Sequence, residues 1–149
     1  MQTTINKDMA YGIPGTHGNG QPYFADPYIA GAAVTMGGVA AVDANGNAVP
    51  YSATATTPVG IFVNPNEHVR MVLPSDSRTL EVAAGASVAV AKKGSWYVAV
   101  PEADKANWVV GAKLAYSSST YGLVVDASGT VAEILGVGDA KDCALIRFL

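Results

Sequence analysis

The chain states one phrase twice, and the phrase dictates β-structure. Val42-Asp43-Ala44-Asn45-Gly46-Asn47-Ala48-Val49 is echoed by Val125-Asp126-Ala127-Ser128-Gly129-Thr130-Val131-Ala132. In each copy apolar residues run into Asp-Ala-Asn/Ser-Gly and then resume, the pattern of two antiparallel strands joined by a tight turn. Glycine takes the positive φ that side chains resist, while Asp, Asn or Ser hydrogen-bonds the turn backbone. Each copy leads into a short glycine-containing strand, Pro58-Val59-Gly60-Ile61-Phe62-Val63 in the first half and Ile134-Leu135-Gly136-Val137 in the second. Two related β-units follow, each with its phrase closing a hairpin.

Between and around these copies, Gly, Pro and Asx clusters break the chain at short intervals. The spacing predicts strands near 33–42, 48–52, 57–63, 68–73, 79–82, 86–91, 95–100, 113–116, 121–126, 130–136 and 143–149. The clearest stretch runs from Leu80 to Val100. Leu80 to Val90 alternates on the two-residue period of a half-buried strand, Lys92-Lys93-Gly94 makes a charged turn, and Trp96, Val98 and Val100 share one face of the next strand. Val88, Val90, Trp96 and Val98 are the predicted core. Only Glu102 to Trp108, following Pro101, suggests a helical turn or two. The fold class is all-β: a jelly-roll or barrel-like sandwich of about ten short antiparallel strands.

Residues 1–28 differ from this in kind. Three prolines and four glycines between Tyr11 and Tyr28 deny them a helix, and the absence of apolar alternation denies them a long strand. The expectation is an extended N-terminal arm, 1–28, ahead of a single β domain, 29–149. Tyr11, Tyr23, Phe24 and Tyr28 carry large apolar surfaces that a free tail would waste, so the arm should lie against its own domain or a neighbouring subunit.

Composition narrows the partners. The 149 residues suit one domain. Only 14% are charged, against about 25% in an ordinary soluble domain. So little charge leaves the surface poorly defended against association, which fits either a protein partly covered by another or an Ala/Val-rich β-domain that is merely mild. A net charge of −3 with dispersed Lys and Arg excludes nucleic acid as a direct partner. The N-terminus has no signal-peptide core, and no stretch reaches the roughly 18 apolar residues of a membrane span, so the expectation is cytoplasmic synthesis and no membrane. The single Cys143 sits in an apolar run and reads as a buried hydrophobe.

Chemistry-bearing patterns are missing. His17 and His68 have no second His or Cys at ligand spacing. Asp43-x-Asn45-x-Asn47 opens like a calcium loop, but Ala48 and Thr54 occupy the positions that need Gly and Glu. Gly85-Ala86-Ser87-Val88-Ala89 lies inside an alternating strand, not at a nucleophile elbow. Gly136-Val137-Gly138 has no following helix to hold a phosphate. No catalytic residue, cofactor or metal is expected, and the chain reads as a non-enzyme. Trp108, after a polar helical turn, is either a lid on the core or an interface anchor.

Taken in order, the motifs resemble the structural cement, or capsid decoration, proteins of tailed bacteriophages. The residues that carry the resemblance are Pro14-Gly15 and Gly20 through Pro27 of the arm, Val39 to Gly46, Pro58 to Val63, Ala84 to Val90, Gly94 to Val98, Val110 to Leu114 and the turn at Asp126. Their succession spans nearly the whole chain. The resemblance implies a compact β-fold that binds the outside of an assembled capsid as dimers or trimers and bridges neighbouring major capsid protein subunits. The candidate contacts to capsid or sister subunit are Tyr11, Pro14, Tyr23, Phe24, Tyr28 and Trp108. A competing class is a carbohydrate- or receptor-binding β-module on a virion surface, with Tyr97, Trp108 or Tyr121 as sugar platforms.

Overall fold

The computed structural model describes residues 14–18, 24–63, 81–138 and 141–149. Within them lie strands β1 (Phe24–Ile29), β2 (Val34–Thr35), β3 (Val39–Val42), β4 (Ala48–Pro50), β5 (Pro58–Val63), β6 (Glu81–Val82), β7 (Ser87–Lys93), β8 (Ser95–Ala99), β9 (Lys113–Ser117), β10 (Gly122–Val125), β11 (Ala132–Val137) and β12 (Cys143–Phe148), with one 3-10 helix at Glu102–Asn107. The strand expected at 68–73, the first half of that at 79–82, and His68 lie outside the described residues.

The two halves of the chain become two sheets. One five-stranded antiparallel sheet has the order β1-β7-β5-β3-β4, a second has β10-β9-β11-β12-β8, and β2 pairs with β6 alone. Membership changes at Gly94, whose φ of +97 turns the chain from β7 in one sheet to β8 in the other. The charged Lys92-Lys93-Gly94 stretch is therefore a corner between layers, not the turn of a hairpin. The architecture is an open sandwich, all-β as the sequence dictates, with no barrel closed by strand ladders. One isolated bridge, Ala30 to Ala48, ties the end of β1 to the far edge of the first sheet and curls that sheet.

Alternation along the strands explains the low charge. On the first sheet, Val39, Ala41, Ile61, Val63 and Ala91 face the second sheet and join Trp96, Val98, Leu114, Leu123, Ile134 and Ile146 in the main core. The residues between them, Ala40, Phe62, Val88 and Val90, point to the opposite face, where Ala30, Val34 and Met36 cover them in a second core. The middle of the first sheet is thus buried on both faces, and its charges are confined to its margin, at Asp26 of β1 and Lys92 and Lys93 at the end of β7. Val88, Val90, Trp96 and Val98 are all buried, as the alternation predicts.

The doubled phrase performs two different jobs. In the first copy Val42 pairs with Ala48, Asp43 Oδ1 accepts from the Asn45 and Asn47 N–H groups (2.8 and 3.0 Å), and Gly46 has φ +81: a hairpin turn as expected. In the second copy Asp126 Oδ1 accepts from the Ser128 N–H and hydroxyl (2.8 and 2.7 Å), but the strands it joins do not pair. β9 lies between β10 and β11, so this turn crosses a strand and closes no hairpin. The same acceptor geometry serves both because an Asx turn depends only on neighbouring residues.

Residues 24–28, expected in the arm, form most of β1. Pro27 is admitted because β1 is an edge strand. Ala30 turns its N–H inward to the Ala86 carbonyl (2.9 Å), and the two-residue alternation then aims position 27 away from β7, where a missing donor costs no ladder bond.

Candidate interaction surface

The four edges of the two five-stranded sheets are blunted, each by a different device. On β8 the segment 14–18 lies as an extra strand: Gly15 N–H donates to the Tyr97 carbonyl (2.8 Å), Tyr97 N–H to Thr16 (2.9 Å) and Gly18 N–H to Ser95 (2.8 Å). Gly15 takes φ +85 there, and Pro14 packs so closely on Gly37 that a β-carbon at Gly37 would lie 2.6 Å from the proline ring. On β10 the Val125 N–H donates to Asp104 Oδ2 of the 3-10 helix (3.1 Å). β4 ends at Pro50 and gives its Ala48 carbonyl to Gly31 N–H (2.9 Å). β1 carries Pro27. Open edges invite pairing with other chains, so contacts with a partner fall to side chains and loops.

The structure brings two of the candidate contacts together. Phe24 and Tyr28 lie on β1 with Asp26 between them. A register shift between Phe24 and Ala25 inserts Lys92 into β7, so that Phe24 faces Lys93 and shares a face with Asp26 and Tyr28. Phe24 is 57% exposed, while Tyr28 is half-buried against the second core. Lys92 Nζ bonds Asp26 Oδ2 at 2.7 Å and donates to the Tyr28 hydroxyl at 3.4 Å. The hydrogen bond it donates to Asp26 raises the Lys92 pKa above the usual lysine value.

The other candidates are placed elsewhere. Pro14 is buried against Gly37, and Tyr11 and Tyr23 lie outside the described residues. Trp108 is 1% exposed, which makes it a lid on the main core and corrects its reading as a surface anchor. Its Nε1 donates to Asp104 Oδ2 (3.2 Å). Asp104 also accepts from Asn107 (2.7 Å); that bond, with those from Val125 and Trp108, holds its carboxyl below the usual range despite partial burial.

Two exposed features escape sequence reasoning. Val109 and Val110 project after the 3-10 helix, Val110 at 67% exposure, with Gly111 turning the chain at φ +88. An apolar cleft of about 260 Å³ opens between Met36–Val39, Val98–Pro101 and Tyr121–Leu123. Tyr121 holds its place there at φ +54, with its ring edge-to-face on Tyr51 at 5.4 Å. Neither feature has a motif, since each depends on which loops the topology brings to one end of the sandwich.

Among the described residues no cluster of three His, Cys, Asp or Glu side chains is placed to hold a metal, and no helix is long and apolar enough to cross a membrane. The profile of a family described as structural cement protein (E217 gp24/Pam3 gp6) matches residues 1–148. The chain belongs to the phage structural cement protein family. No curated protein matches it in sequence. As a cement protein it has a structural role in the virion, associated with the capsid, and this role is not a catalytic one.

Proposed function

We propose that this cement protein is made in the host cytoplasm, binds the outer surface of the assembled capsid, joins neighbouring major capsid protein subunits and associates with itself as a dimer or trimer. The observation that carries this reading is the family match over residues 1–148. The exposed Phe24 ring on an edge-blunted sandwich supports it: a modest contact repeated over a shell adds to tight coating through multivalency. A carbohydrate-binding role draws no support from the geometry. Trp108 is buried, and Tyr121 borders a cleft whose other polar side chain is Thr35, which offers few of the hydrogen bonds a sugar requires.

The test is co-sedimentation of the purified protein with expanded, undecorated shells. Saturable binding at a fixed ratio to the major capsid protein is expected. Protein that stays in the supernatant would contradict the reading.

A further inference from the structure

The corner where the first sheet ends combines an exposed aromatic ring with cations. Phe24 is directly opposite Lys93 in the β1–β7 ladder, and residues opposite each other share a face. Both are exposed. Lys92, inserted by the register shift, reaches over the same face to Asp26 and Tyr28. Asp26 is thereby matched by Lys92, and among the described residues Lys93 has no ion-pair partner, so the face carries a surplus positive charge in a chain whose net charge is −3.

A phenylalanine on an edge strand is an aggregation liability unless something covers it. Here Pro27 removes the outward backbone donor in the middle of the strand, which hinders strand addition but leaves the Phe24 ring and Lys93 ammonium available. We infer that the Phe24, Tyr28, Lys92 and Lys93 corner is the surface that meets the shell, and that it takes an acidic segment of the capsid protein with an apolar side chain beside its carboxylates. This inference rests on the capsid-binding reading above. The ring supplies the contact that excludes water, and a carboxylate beside it meets Lys93 at strand spacing with Lys92 one residue away. The Val109-Val110 loop, equally apolar, serves as a comparison.

The experiment titrates full-length wild-type protein and the variants Phe24→Ala, Lys93→Glu and Val110→Ser against expanded shells, at low and high salt. Thermal melts confirm that each exposed-site variant folds as wild type does. Phe24→Ala is expected to weaken binding about tenfold or more, as loss of an aromatic anchor does. Lys93→Glu is expected to weaken it most at low salt, with the gap to wild type closing as salt screens the charge. Val110→Ser is expected to bind as wild type. Wild-type binding matched by both corner variants, or an equal loss in all three variants, would overturn this surface while leaving the capsid reading intact. Wild-type protein that does not bind would overturn both.

Discussion

Gly129 lies over the main-chain carbonyl of Leu114, so close that a β-carbon built on it would be 2.5 Å from that oxygen. The contact is with backbone, and the neighbouring Val131 N–H already donates to the same carbonyl (3.1 Å), so the strand cannot easily give way. Gly46, its counterpart in the first copy, has open space around it and needs glycine only for its φ of +81. Alanine is expected to destabilise both, by about 1–3 kcal/mol at Gly129 from overpacking and about 1–2 kcal/mol at Gly46 from the left-handed backbone. Asparagine, which tolerates that backbone, separates the causes: chemical denaturation should find Gly46→Asn close to wild type and Gly129→Asn at least as damaging as alanine.

Asp104 connects the 3-10 helix, the Trp108 lid and the edge of β10. Asp104→Ala leaves the buried indole N–H without its acceptor and is expected to cost about 1–3 kcal/mol in denaturant unfolding. Asp104→Asn, which keeps one oxygen acceptor, should cost less. Because the folded state lowers this carboxyl's pKa, its contribution is present above the unfolded value of about 4 and is lost as pH falls through the lower folded value. The stability gap between wild type and Asp104→Asn should therefore narrow on acidification below about pH 4.

Tyr121 occupies a backbone position that favours glycine. Replacing it with alanine removes the edge-to-face contact with Tyr51, worth about 0.5–1.5 kcal/mol, but keeps the strained φ. Replacing it with glycine removes both. Tyr121→Gly should therefore be more stable than Tyr121→Ala by about 1 kcal/mol, measured by thermal or denaturant melts.

Deleting residues 1–18 strips the cover from β8. Three backbone hydrogen bonds are lost, each worth about 0.5–1.5 kcal/mol, together with the Pro14–Gly37 packing. The truncated protein should melt at lower temperature, and its bare β8 edge should make it associate with rising concentration in sedimentation velocity. An unchanged melt and unchanged sedimentation would show that the segment is no part of the fold.

Much of this was legible in the sequence where the signal is local. Asp43 to Gly46 specifies its own turn, and the two-residue alternation around Val88 and Val90 and around Trp96 and Val98 gives the faces correctly. What was hidden is what depends on distant partners. The residues around Asp126 and Gly129 look like a hairpin turn, yet the choice of β9 as the strand between β10 and β11 is made by tertiary packing. β1 was obscured by Pro27, because a proline denies a central strand but not an edge whose donor faces away. Trp108 looks equally like an anchor and a lid in sequence, and its burial in the main core, which depends on strands far along the chain, decides between them. The pairing of Phe24 with Lys93 depends on a one-residue register shift, which alternation alone does not reveal.

The proposed joining of neighbouring capsid subunits is tested by the thermal transition of expanded shells with and without saturating protein, followed by calorimetry. Decorated shells are expected to melt at a higher temperature, with the gain rising as sites fill and reaching a plateau at saturation. Shells that bind the protein and melt at the temperature of bare shells would contradict it.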